Sequence, residues 1–182
     1  TNVLSTIDRL DISDTRLDSF AFIEKLTNLE LLIMNNCMLF KLPDLTNMKN
    51  LSYLYFTHNQ ITELPEYLGK LPLKRLAFSF NKLSSMPDSF KRLMMLGQLI
   101  FAGNYYRVLP DIVSDMKALE VLICSQNIID DVPENISDLI NIKRASFASN
   151  HLTSLEKFVD FKIPYSYQIS FYLNYLDLND EI

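Results

Sequence analysis

The side chains that most often carry chemistry are scarce in this sequence of 182 residues. There are two histidines, His58 and His151, and two cysteines, Cys37 and Cys124. A transition-metal site needs three or four such ligands in one place, and the two histidines occupy different positions of a repeat, far apart along the chain. No H-E-x-x-H, C-x-x-C, G-x-x-x-x-G-K-[ST] or G-x-S-x-G motif occurs. We therefore expect no catalytic residue, no metal site and no cofactor.

Carboxylates are the other reactive groups, and they gather near a series of prolines. They are Glu63, Glu66, Asp111, Asp130, Asp131 and Glu134. We interpret them as a solvated rim, and docking of a basic partner is the alternative.

Composition and charge exclude several classes of function. The formal charge is −5, whereas a nucleic-acid module is normally basic on at least one face, so we expect no nucleic-acid partner. The longest nearly apolar run, 94–102, is far shorter than the roughly 18 residues of a membrane helix, so we expect no membrane insertion. Two cysteines cannot form a disulfide framework, and reduced, buried thiols favour a cytoplasmic location. Leucine accounts for 30 residues and glycine for only 3, which calls for a search for repeats.

Asparagine and proline mark such a repeat. Asparagines recur every 22 or 23 residues, with a looser last step of 24, at Asn59, Asn81, Asn104, Asn127, Asn150 and Asn174. The first five end the pattern L-x-x-L-x-L-x-x-N, in which other apolar residues replace some of the leucines. Prolines keep the same register, at Pro43, Pro65, Pro87, Pro110 and Pro133. The two series indicate eight units, which begin near residues 7, 29, 51, 73, 96, 119, 142 and 166.

The pattern also predicts the structure of one unit. The period of two in L-x-L is typical of a short strand with one buried face. Because every unit returns in the same direction, the strands must stack in parallel, centred near Leu10, Leu32, Leu54, Leu76, Leu99, Leu122, Ala145 and Ile169. Proline suits a turn before a short helical segment in the return. An asparagine amide can satisfy backbone groups at the turn after the strand, so we expect a structural asparagine ladder.

The unit L-x-x-L-x-L-x-x-N-x-L-x-x-L-P-x-x-L-x-x-L-x-x resembles the 22–23-residue type of leucine-rich repeat. Its L-P step is similar to that of intracellular Ras-group repeat proteins. The resemblance covers the chain from Ile7 to about Leu178. It implies an α/β solenoid forming one domain over 1–182, with a curved parallel β-sheet on the concave face and irregular or short helical segments on the convex face. Since neither end carries a recognisable cap, we expect a segment of a longer protein.

The resemblance further implies protein–protein recognition, often scaffolding or regulation of small GTPases, phosphatases or kinases. Two alternatives stay open. The chain is the repeat portion of a multidomain signalling enzyme (a kinase, phosphatase or cyclase), or it is a pathogen effector that binds a host protein.

The outward strand positions point to the binding surface. Solvated sheet faces usually present polar residues, whereas a contiguous apolar patch with aromatics and arginine is typical of a protein-binding face. High β-propensity alone is the alternative explanation of such residues. Arg75 interrupts the apolar patch, and Phe80 lies at its edge. The predicted binding face consists of Leu31, Ile33, Tyr53, Tyr55, Arg75, Phe80, Ile100, Val121 and Ile123.

Overall fold

Eight parallel strands of three residues each form one sheet, in the order in which they follow one another along the chain. The computed structural model describes residues 6–16, 18–161 and 168–176. The strands are β1 (Arg9–Asp11), β2 (Leu31–Ile33), β3 (Tyr53–Tyr55), β4 (Arg75–Ala77), β5 (Gln98–Ile100), β6 (Val121–Ile123), β7 (Arg144–Ser146) and β8 (Gln168–Ser170). Every strand centres on the residue that the sequence predicted, so the parallel-sheet solenoid is confirmed. The expected start of the eighth unit near residue 166 and its Leu178 lie outside the described residues.

Alternation of side chains explains why these short segments form a sheet. In β3 the central Leu54 is fully buried, while Tyr53 and Tyr55 on either side of it are partly exposed. The same residue of each unit pairs with its counterpart in the next, as Tyr53 does with Arg75. Equivalent side chains therefore form columns with the strand spacing of about 4.8 Å, some buried inside and some displayed on the concave face.

Phenylalanines form a stacked row inside the sheet. The ring centroids of Phe56 and Phe78 lie 5.7 Å apart, and those of Phe78 and Phe101 lie 5.6 Å apart. Cys124 takes the next place in this row and is completely buried. Each unit thus buries its apolar residues against its neighbours, which makes the stability of the solenoid largely a sum of nearest-neighbour contacts.

The returns on the convex side contain 3₁₀ turns. Those in the described residues are Ile23–Lys25, Glu66–Lys70, Asp88–Arg92, Asp111–Val113, Ile136–Asp138 and Glu156–Phe158. Proline sets the start of several of them, since Pro65 holds an extended backbone immediately before Glu66. The expected irregular or short helical returns are therefore present, as turns too short for an α-helix.

The return also absorbs the difference between units of 22 and 23 residues. Pro65 stands eight residues before the first leucine of the next strand segment, whereas Pro87 stands nine residues before it. The strands on both sides of this extra residue stay in register, since Arg75 pairs with both Tyr53 and Gln98. The length of a unit therefore varies in its convex return, while the strands of the concave face stay in register.

Two of the returns approach each other very closely. A Cβ atom built on Gly69 would lie 2.1 Å from the carbonyl oxygen of Ser89, so the two backbones meet at a distance that only glycine permits. The Glu66 carboxylate accepts a hydrogen bond from the Ser89 N–H at 3.1 Å across the same contact. Within the part of the chain that the structure describes, no helix is long and apolar enough to cross a membrane.

Candidate functional site

The turn that ends each strand is held by the asparagine ladder. Asn81 Nδ2 donates hydrogen bonds to the carbonyl oxygens of Phe56 and Phe78, both at 3.0 Å. Its Oδ1 accepts the N–H of Ile61 at 3.0 Å. Phe56 and Ile61 belong to the preceding unit, so one buried amide joins two units. Equivalent contacts are made by Asn59, Asn104, Asn127, Asn150 and Asn174.

Cys37 stands at the ladder position of the second unit and takes over the donor role. Its Sγ lies 3.1 Å from the carbonyl oxygen of Ile12 and 3.3 Å from that of Asn35. Ile12 O is the counterpart of the preceding-unit carbonyl that Asn81 contacts. Burial raises the pKa of the Cys37 thiol, which keeps the proton needed for these weak hydrogen bonds.

Sequence reasoning missed a second column in the same turns. The residue before each ladder position has a positive φ, between 54° and 64°, at Asp14, Asn36, His58, Phe80, Gly103, Gln126, Ser149 and Leu173. Glycine and asparagine tolerate this left-handed backbone, and a bulky phenylalanine does so rarely. The signal in the sequence was the alignment of Gly103 with Asn36 and Asp14, residue types that favour this conformation.

Phe80 lies in the turn after β4, with its ring against two neighbouring units. Its ring stacks on that of His58, with centroids 4.5 Å apart and planes inclined by 12°. On the other side it covers Gly103, where an added Cβ would meet the ring at 2.4 Å. Phe80 is still 40% exposed, so it extends an aromatic edge beside the strands.

The tyrosines of β3 and the aliphatic residues of β2 form the floor of a hollow in the concave face. Leu31 pairs with Tyr53 in the sheet register, and Ile33 pairs with Tyr55. All four are partly buried. The hollow has a volume of about 290 Å³, and its walls are completed by Arg9, Glu30 and Arg75.

Arg75 continues the tyrosine surface, although the sequence suggested an interruption at this residue. Its guanidinium carbon lies 5.6 Å from the centre of the Tyr53 ring, within the range of a cation–π interaction. The planar cation therefore covers an aromatic face and still presents N–H donors to the hollow.

The remaining predicted residues lie outside this hollow. Ile100 on β5 and both Val121 and Ile123 on β6 are partly exposed on the same concave face. Ala77 on β4 separates them from Tyr55 and is only 5% exposed, so the apolar column continues across β4 with a small residue. The structure thus brings together Leu31, Ile33, Tyr53, Tyr55 and Arg75. It places a second apolar group two and three strands away from the tyrosines, on β5 and β6.

The reactive side chains do not converge. His58 and His151 lie in different turns, and both cysteines are free and buried. Complete burial raises the pKa of Cys124 far above its usual value, so the thiol is protonated. Among the described residues, no group of three or more histidine, cysteine, aspartate or glutamate side chains has the arrangement of a metal site.

Part of the acidic rim is paired with neighbouring cations. Asp131 and Glu134 contact Lys157 Nζ at 2.6 and 2.9 Å, and Asp130 contacts Arg107 at 3.0 Å. The pKa of Asp131 is lowered, mainly by its hydrogen bond from Lys157. These pairs link successive units across the surface.

Comparison with known proteins gives the same architecture. The Leucine Rich Repeat family profile matches residues 50–71, which cover most of one unit. A leucine-rich-repeat protein of Leptospira interrogans is 26% identical, with a TM-score of 0.88 over 97% of this chain and 45% of that one. No curated protein sequence matches the chain.

Two further solved structures are similar in fold, each at 21% identity. The plant peptide hormone receptor RGFR1 in complex with RGF2 aligns with a TM-score of 0.76 over 94% of this chain and 29% of its own. PEPR1 with AtPEP1 aligns with a TM-score of 0.78 over 97% of this chain and 27% of its own. The chain spans less than half the length of each of these three solved structures.

Proposed function

Because the chain is a leucine-rich-repeat solenoid, we propose that it is an interaction module that binds a partner protein on its concave face. The observation that carries this proposal is the hollow floored by Leu31, Ile33, Tyr53 and Tyr55, with Arg75 over the Tyr53 ring. Tyrosine and arginine are the residue types that most often dominate binding energy at protein interfaces. A sheet face that only had to be solvated would carry polar side chains at these positions.

The dimensions of the face suit one part of a protein interface. The first and last of the five strands from β2 to β6 lie about 19 Å apart at a spacing of about 4.8 Å. A standard interface covers about 800 Å² on each partner, so a partner of that size would also contact the turns beside the strands. RGFR1, which has the same fold, is described in complex with RGF2, an example of this architecture holding a second molecule.

The proposed role is binding without catalysis. The fully buried Cys124 thiol is protonated and inaccessible, in keeping with this proposal. In this proposal the chain contributes recognition, as a scaffold or regulator.

The experiment compares two pairs of tyrosine substitutions. Partners captured from the source lysate by the immobilised parent chain are identified, and the affinity of the purified partner is then measured. We expect Tyr53→Ala with Tyr55→Ala to weaken binding by about 2 kcal/mol or more, a factor of about 30, with little change in thermal unfolding. Both side chains point away from the core and are only partly buried, so we expect their loss to cost the fold little.

The matched control is Tyr105→Ala with Tyr175→Ala. These tyrosines are 57% and 69% exposed and lie just after the asparagine turns, away from the strands. The control removes the same chemical groups and should leave binding unchanged. If the control abolishes binding and the Tyr53–Tyr55 pair does not, the binding surface is the flank after the turns and the concave assignment is wrong.

The partner class follows from the resemblance to Ras-group repeats. Small GTPases, phosphatases and kinases are the first candidates for the captured protein. The alternatives are that the chain serves as the repeat portion of a multidomain signalling enzyme, or that it is a pathogen effector with a host target. The identity of the captured protein separates these possibilities.

We also propose that the protein acts in the cytoplasm. Both thiols, Cys37 and Cys124, are free and buried, as expected for a reducing compartment. Fractionation of source cells with an antibody to the chain tests this location, and recovery only in the secreted or surface fraction would contradict it.

A further inference from the structure

Three arginines share one column of the concave face. The strand register pairs Arg9 with Leu31, Tyr53 with Arg75, and Val121 with Arg144, and the intervening strands continue the same column. The arginines therefore stand on β1, β4 and β7, with three strand intervals between neighbours. At about 4.8 Å for each interval, their Cα atoms are about 14 Å apart.

Among the described residues, these arginines have no carboxylate partner. In the described ranges, the salt bridges engage other cations, and none reaches Arg9, Arg75 or Arg144 within 4.0 Å. The aspartate on the strands, Asp11, accepts hydrogen bonds from the N–H and the hydroxyl of Ser13. Glu30 lines the hollow between Arg9 and Arg75 without pairing with either.

The sign of the charge on the strands is opposite to that of the chain. The strand residues include three arginines and one aspartate, whereas the whole sequence has a formal charge of −5. Arg107, which lies outside the strands, is paired with Asp130. An unpaired, regularly spaced cationic column on an apolar face is complementary to an acidic partner.

We propose that the concave face selects an extended acidic segment of its partner protein, lying along the arginine column across the strands. This inference rests on the proposed concave-face function and specifies the chemistry of the partner. An extended chain advances about 3.3 Å per residue, so carboxylates four residues apart are separated by about 13 Å. Acidic residues at positions i, i+4 and i+8 thus match Arg9, Arg75 and Arg144, and apolar residues between them contact the tyrosine floor.

The test is selection from a displayed library of random twelve-residue peptides on the immobilised chain. We expect the enriched sequences to be acidic, with Asp or Glu four residues apart and aromatic or aliphatic residues between them. The best peptide, labelled with fluorescein, is then measured by fluorescence anisotropy. Binding should weaken by about 10-fold when Arg9, Arg75 and Arg144 are all changed to Gln, since each exposed ion pair contributes modestly. Affinity for the parent chain should also fall as the salt concentration rises.

The control changes the same number of charges elsewhere. Arg16→Gln, Arg92→Gln and Arg107→Gln alter the net charge equally but lie outside the strands. This variant should bind the peptide as the parent does, which separates the column from a general effect of charge. Equal losses in both triple variants overturn the assignment of the column.

Other results overturn the inference in distinguishable ways. The acidic-segment proposal fails if the selected peptides are not enriched in acidic residues, or if no peptide is enriched. If peptides that are enriched without acidic residues fail to bind the Tyr53→Ala, Tyr55→Ala variant, the proposed function stands. If selected peptides bind this double variant as tightly as the parent, the proposed function itself fails. The parent chain could instead form a concentration-dependent dimer that is lost when Arg9, Arg75 and Arg144 are all changed to Gln. That result would assign the face to a second copy of the chain and overturn the acidic-segment proposal.

Discussion

Replacing Asn81 by alanine removes the amide that joins the third and fourth units. The side chain is 5% exposed and makes four hydrogen bonds to backbone groups, the longest of them 3.4 Å to the carbonyl oxygen of Ser79. Alanine leaves the strand and its apolar contacts in place, so the change isolates the polar contribution of the ladder.

The size of the effect follows from what each backbone group loses. The Ile61 N–H loses its acceptor in a buried turn, which costs about 1–3 kcal/mol. The carbonyl oxygens of Phe56 and Phe78 each keep a hydrogen bond from the neighbouring ladder amide, so their loss is smaller. We expect Asn81→Ala to lower the free energy of unfolding by about 2–3 kcal/mol.

Urea unfolding followed by circular dichroism measures this change. In a thermal scan, the same loss corresponds to a fall in Tm of about 5–10 °C for a domain of this size. Coincident transitions by circular dichroism and tyrosine fluorescence show whether the units unfold together.

Lys82→Ala is the matched control, because Lys82 follows Asn81 directly and its side chain is exposed. It should change the free energy of unfolding by less than about 0.5 kcal/mol. An Asn81→Ala midpoint equal to that of the parent would refute the ladder as a source of stability.

Two further predictions concern the convex returns and the buried thiol. Gly69→Ala should destabilise the fold by about 3 kcal/mol or more, because the new methyl group meets the Ser89 backbone. Gly97→Ala, whose Cβ would have ordinary contacts of 3.7 and 3.9 Å, should be close to neutral in the same urea assay; equal effects would contradict the close approach. Burial raises the pKa of Cys124, so at pH 8 the native chain should react with a disulfide reagent at this thiol only as fast as it unfolds. Labelling of Cys124 within the mixing time in native buffer would contradict its burial.

The strands were predictable because they depend on a pattern that each unit repeats. Leu32, Leu54 and Leu76 are identical in type and evenly spaced, and a period of two has one structural solution when one face is buried. The weakest unit, around Ile169, was predicted from a loose match in which Ile169 and Phe171 lead to Asn174, and its strand pairs with β7. The returns were less defined, since the residues after each proline differ between units.

The concave site was predictable in its residues but not in its contacts. Alternation placed Tyr53, Tyr55 and Arg75 on one face, since side chains of adjacent residues point to opposite sides of a strand. The position of the Arg75 guanidinium over the Tyr53 ring depends on side-chain rotamers, which no spacing encodes. The left-handed backbone of Phe80 was missed for a similar reason, because its residue type opposes that conformation and only aligned neighbours indicate it.

The extra residue in the longer units has a consequence for how such a protein can change over generations. The insertion lies between Pro87 and the following strand, and the strands on both sides remain paired. Gene duplication or small insertions can therefore lengthen the chain or alter its outer surface without shifting the residues displayed on the inner one. The two displayed positions of each strand can meanwhile mutate without disturbing the leucines between them. The displayed strand residues determine which partner binds, and the buried leucines determine the fold. A new partner can therefore be acquired by substitutions that leave folding intact.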